Sequence, residues 1–191
     1  MTQTGYLHDR RSFAGIFRDL LIHPFRVFPD LRGETLSSAF IFFCTVLLIS
    51  TGIGMALVLA EVKTSGTPQG IFVAGSGATV PDVLTLVSAG MIAMLAYIVL
   101  IIIFAVLMHA AAWMLGAKGG AGQSYKVLFY AQAPALLFAW IPKIGILFLI
   151  YAIFLGITGV SQVQRISWWS ALAAFLFPVF LAVLGKILTP W

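Results

Sequence analysis

The sequence predicts an all-α integral membrane protein, with five transmembrane helices preceded by an amphipathic helix on the cytoplasmic side. Three observations predict it. The 191 residues are 61% hydrophobic and 9% charged, with a mean hydropathy of +1.07. Soluble domains carry roughly 25% charged residues, so this chain has too few polar groups to cover a water-facing surface. Five apolar segments, about 36–60, 84–115, 126–141, 144–161 and 168–188, reach or approach the roughly 20 residues that a spanning helix needs. These segments contain no Asp, Glu or Arg.

The N-terminal 35 residues form a cytoplasmic tail, and residues 36–191 form the membrane domain. The tail carries nine charges and no uninterrupted apolar core of a signal peptide, so the first long run is expected to stay as a span. Residues 1–11 are expected to be a disordered polar tip. From Ser12, the residues Phe13, Ile16, Phe17, Leu20 and Leu21 recur at helical spacing and make one apolar stripe, continued by Phe25 and Phe28. Arg18, Asp19, His23 and Arg26 fall largely off it, and Pro24 ends or bends the helix. Phe13, Phe17 and Phe25 opposite Arg18 and Arg26 suit a helix lying in the inner headgroup layer. The alternative is that the stripe packs on the protein's own spans. Residues 29–35 make a polar elbow, with Asp30 and Glu34 favouring the positive start of the next helix.

The first span carries small residues that permit close helix approach, and its Cys44 is the only cysteine, so no intrachain disulfide forms. Residues 61–82 are rich in Gly, Ser, Thr and Pro and read as an outer surface loop. The second span is longer than a bilayer requires and should tilt or project into water. Its one ionisable group, His109, lies near the cytoplasmic end, where hydrogen bonding to a neighbour is the simpler reading than a functional role. The glycine-rich run 116–122 contains Lys118 but lacks a preceding strand and the GK[ST] ending, so it is a turn and not a phosphate loop.

The third segment is short, with Tyr130, Gln132 and Pro134 inside it. It is expected to be shielded by other helices, with Pro134 freeing a carbonyl in mid-helix. Two charge-free runs, Val127–Pro142 and Ile144–Gln164, are separated by Lys143, and Pro142 and Gly145 mark a tight turn between them. Trp140, Trp168, Trp169 and Trp191 fall at span ends, where indole rings favour the interface. Pro178 kinks the last span. With the N-terminus inside, eight basic residues lie on the cytoplasmic side and three outside, which places the C-terminus outside after five crossings. Treating 126–161 as one re-entrant unit gives an even number instead.

Several of these residues together resemble the Yip1 domain family. They are His109-x-x-x-Trp113-x-Leu115-Gly116-x-Lys118-Gly119, Gln123-Ser124-Tyr125, Tyr130-Ala131-x-Ala133-Pro134, Trp140-Ile141-Pro142-x-x-Gly145, Tyr151, Leu155-Gly156 and Ala171 through Phe177-Pro178. His23-Pro24-x-x-Val27-Phe28 is similar to a patch that precedes the first span in prokaryotic members. The resemblance implies five spans with a cytoplasmic N-terminus. In eukaryotic members it implies membrane trafficking, contact with prenylated Rab-type GTPases and effects on membrane shape. Those members have a long N-terminal domain and an Asp-Leu-x-Gly-Pro motif, whereas here Asp30-Leu31-Arg32-Gly33 is followed by Glu34, which counts against GTPase binding. The short tail is similar to prokaryotic members, and hence to a protein of the prokaryotic cell membrane.

The functions that follow are ranked by chemistry. A non-catalytic scaffold, adaptor or membrane-shaping factor stands first. Its partners are the bilayer with its anionic headgroups and other membrane proteins or a second copy of itself, and the excess of basic residues points there and not to nucleic acid. A small oligomeric transporter or channel stands second, with only His109, Tyr97, Tyr130 and Gln132 available to line a path. An enzyme stands third, because scattered histidines and one cysteine offer neither a metal set nor an activated nucleophile, and no cofactor is expected.

Overall fold

The computed structural model describes residues 12–65 and 83–188, and among these every regular element is helical. In chain order the helices are α1 (Phe13–Ile22), α2 (Pro24–Leu31), α3 (Leu36–Ser65), α4 (Val83–Met114), α5 (Ala121–Ala131), α6 (Ala133–Phe138), α7 (Gly145–Gln164) and α8 (Trp168–Leu188). The expected polar tip, most of the 61–82 loop and Trp191 lie outside the described residues. Residues 61–65 of that loop continue α3.

Four helices, α3, α4, α7 and α8, are long and apolar enough to cross a membrane. At 1.5 Å per residue the 32 residues of α4 extend about 48 Å, well past a hydrocarbon core of roughly 30 Å. Among the four, α7 is the core helix, with 44% of its apolar window buried against 17–28% in the others. It packs on α2, α5, α6 and α8, while α4 packs on α3, α5 and α8.

Glycine lets α7 hold this place. A Cβ on Gly156 would overlap the Phe175 ring of α8, and one on Gly159 would lie 2.6 Å from Val127 of α5 and 2.9 Å from Phe28 of α2. The α3–α5 seam is aromatic instead, with ring centroids 5.1 Å apart in Phe43–Phe129 and 5.0 Å apart in Phe42–Tyr130. Ser50 adds a polar contact, its hydroxyl donating to the Leu136 carbonyl at 2.6 Å.

The third segment differs from the single helix of 126–141. It starts earlier, at Ala121, and divides at Gln132 into α5 and α6. Pro134 therefore sits in the first turn of α6, where its missing N–H costs no hydrogen bond, instead of in mid-helix. The following tip also differs in detail. Lys143, and not a glycine, adopts the left-handed backbone (φ 67°), and Gly145 opens α7 where a Cβ would collide with the Ala139 carbonyl. Gly145 is thus required for close approach and Lys143 makes the turn.

The tail is a helix pair and not a single helix. Ser12 caps α1 through its hydroxyl, and the chain breaks at His23 before Pro24, the first residue of α2. Ile16, Leu20, Val27, Phe28 and Leu31 are buried in one apolar core with the long helices. Phe13 meets Phe42 at 4.8 Å, Phe17 meets Phe138 at 6.0 Å and Phe25 meets Phe154 at 5.8 Å. The stripe finds its apolar partner within the protein, so the packing on α3, α6 and α7 is the arrangement adopted.

Candidate functional site

Where α2, the elbow, α5 and α7 converge, polar side chains seize backbone carbonyls that the helix ends leave unpaired. Arg32 closes α2, and its Nη2 donates to the carbonyls of Gln162 (2.9 Å) and Val163 (3.2 Å), in the last turn of α7. A guanidinium there satisfies acceptors with no partner inside the helix and neutralises its negative end. Lys126 of α5 is only 7% exposed, and its Nζ donates to the carbonyls of Arg32 (2.8 Å) and Glu34 (2.9 Å). Tyr151, midway along α7, donates to the carbonyls of Leu20 (2.8 Å) and Leu21 (3.2 Å) at the end of α1. The tail is thereby held at both ends along a stretch of α7 of about 18 Å.

Beside this clamp lies a second buried set. Gln164, fully enclosed at the end of α7, donates from Nε2 to the Ser124 hydroxyl (2.7 Å) and the Gly120 carbonyl (3.4 Å). His109 of α4 meets the same Ser124 hydroxyl through Nδ1 at 3.0 Å. A serine–histidine contact of this length has the geometry of an activated hydroxyl. Ser124 is fully buried, however, and its oxygen is already engaged by Gln164, which leaves no approach for a substrate. The Lys118 N–H donates to the Gln164 carbonyl at 3.1 Å, so the turn of 116–120 is tied to the same end of α7.

Farther along the bundle, the Tyr97 hydroxyl donates to Gln132 Oε1 at 3.2 Å. The pair lines a groove of about 540 Å³ between α3, α4 and α6, walled otherwise by Leu47, Met94 and Leu136. Trp140 stands exposed beyond α6, its Nε1 donating to the Leu137 carbonyl at 2.6 Å. Pro142 is exposed in the tip, whereas Pro178 is buried within α8, which continues through it.

The anticipated residues therefore fall in separate places. His109 joins the Ser124–Gln164 set. Gln132 and Trp140 line the groove, and Tyr130 is buried between α3 and α5. Pro142 and Gly145 belong to the tip. Of the tail residues, Phe17 is half-buried, whereas Phe13, Arg18, Phe25 and Arg26 are exposed, with Phe13 and Phe25 each still meeting a ring of the bundle. The clamp residues Arg32, Lys126 and Tyr151, and the buried Gln164, are additions. Lys126 had a visible signal, a single lysine at the head of an apolar run, and Tyr151 stood among the residues of the family resemblance. Arg32 had none, since its acceptors lie 130 and 131 residues away.

Long apolar helices around one core, with polar side chains turned onto the protein's own carbonyls, define a helical multi-pass integral membrane protein. The sequence profile of the Yip1 domain matches residues 18–188, and the chain belongs to the Yip1 domain family. Neither the curated proteins nor the solved structures give a match.

Proposed function

We propose that the chain is a non-catalytic membrane scaffold or adaptor of the prokaryotic cell membrane. In this reading it has five crossings, with the N-terminus cytoplasmic and the C-terminus outside. Residues 121–138, covering α5 and α6, amount to about 27 Å of helix, close to the roughly 30 Å of the hydrocarbon core, and supply the fifth crossing. The excess of basic residues on the N-terminal side supports the orientation.

The observation that carries the adaptor reading is the outward side of the tail. The clamp fixes α1 and α2 rigidly, yet Ile22 (59%) and Phe25 (61%) remain exposed beside the exposed Arg18 and Arg26. Large apolar groups with arginines on a preorganised surface suit protein contacts. The test is mild-detergent capture from native membranes with the wild type and with Phe25→Ser combined with Arg26→Glu. Partners recovered by the wild type and lost by the variant are the expected result. Recovery of the protein alone, or only with copies of itself, by both would overturn it. The 540 Å³ groove with its Tyr97–Gln132 pair favours a second reading, a small oligomeric transporter or channel. That reading predicts solute flux in proteoliposomes that falls with Gln132→Ala.

A further inference from the structure

A groove of about 740 Å³ lies beside the contact of α1 with the start of α3. Its hydrocarbon lining comes from Phe13, Ile16, Ile41 and Phe42, and the rings of Phe13 and Phe42 touch, with centroids 4.8 Å apart. Ile41 is 65% exposed, so the groove is continuous with the apolar outside of α3. Its rim is polar and carries Glu34, Thr35 and Ser38. Among the described residues no cation lies within ion-pair distance of the Glu34 carboxylate; the Lys126 ammonium, held by the carbonyls of Arg32 and Glu34, acts on it only from farther off. Thr35 Oγ1 accepts from the Ser38 N–H (3.1 Å) and lies 2.9 Å from Ser38 Oγ. One proton joins the two hydroxyls, so the other remains available to a ligand at the positive start of a 30-residue helix. Tyr130, which also lines the groove, is 1% exposed, and its hydroxyl has no hydrogen-bonding partner among the described residues. Buried hydroxyls are normally partnered, so this one points to a ligand.

The charges select the occupant. A phosphate suits the free hydroxyl and the helix start but is repelled by Glu34, whereas a ligand that also carries an ammonium satisfies both. The hydrocarbon walls require that this headgroup be attached to an acyl chain. We propose that the groove is a binding site for a zwitterionic aminophospholipid. Its ammonium lies at Glu34, its phosphate at Thr35 and Ser38, and one chain runs along Ile41 and Phe42. The volume falls within the roughly 300–1,000 Å³ of small-molecule sites. The site is independent of the adaptor reading, and either stands if the other fails.

The test is native mass spectrometry of the full chain titrated with phosphatidylethanolamine or phosphatidylglycerol of identical acyl chains. One phosphatidylethanolamine should be retained about fivefold more tightly than phosphatidylglycerol, an advantage of the size that a partly exposed ion pair gives. Glu34→Gln should erase that preference. Tyr130→Phe should weaken retention while leaving the lipid-free thermal stability unchanged or raised, because the hydroxyl it removes has no protein partner. Equal retention of the two lipids, or a preference that survives Glu34→Gln, would overturn the proposal. So would binding that requires prior removal of residues 1–11, since the groove would then belong to that segment.

Discussion

Gly156 and Gly159 show how much of this molecule rests on a missing methyl. Both lie on the buried half of α7, and each faces another helix at a distance that admits no side chain. Gly156→Ala or Gly159→Ala must push Phe175, or Val127 and Phe28, out of register, at a cost of about 1–3 kcal/mol. Gly52→Ala on α3 meets nothing within 4 Å and should be neutral or slightly stabilising. Thermal unfolding in detergent of the three variants checks the ranking, and equal midpoints would remove the close-packing argument. Both α7 glycines were visible in the sequence, but a glycine in an apolar run does not say which neighbour it admits. Gly145 was legible as a break in the pattern and illegible in role, because its constraint is the Ala139 carbonyl and not its own backbone.

At the scale of elements, the clamp joins the tail to the bundle. Lys126→Met keeps the apolar stem and deletes the ammonium, leaving the half-buried Glu34 carbonyl without that donor and the Arg32 carbonyl with only the Gln123 amide at 3.4 Å. The expected loss is about 1–3 kcal/mol, concentrated locally. Hydrogen exchange in nanodiscs should show faster exchange in residues 30–38, with α8 unchanged, and uniform protection would mean that Lys126 does not hold the elbow. The long helices were legible because an unbroken apolar run has few other fates. The tail was legible as an apolar stripe but not in its placement, since the periodicity that suits a headgroup layer equally suits a groove on α7. The division at Gln132 was obscured for a related reason. Pro134 announces a disturbance, but whether it breaks a helix or begins one depends on the residues packed around it.

At the scale of the molecule, the five-crossing arrangement makes a simple prediction. In a Cys44→Ser background, Lys143→Cys should react with an impermeant maleimide in intact cells, and Arg18→Cys only after the membrane is opened. Labelling of both from the same side would mean that α5 and α6 do not cross. The family was legible from the ordered set of motifs between His109 and Pro178, which the profile match over residues 18–188 extends to the tail. The clamp was not, because it joins residues over 90 or more positions through backbone acceptors that carry no sequence signature. The central claim is that a rigidly held tail presents its exposed face to another protein. Photocrosslinking from Arg18 and from Phe25 in native membranes addresses it most directly. The account predicts adducts of one or a few defined masses at both positions, and these should be lost when Arg26 is reversed to Glu. Adducts of lipid alone from both positions would contradict it and leave the tail as a structural part of the bundle.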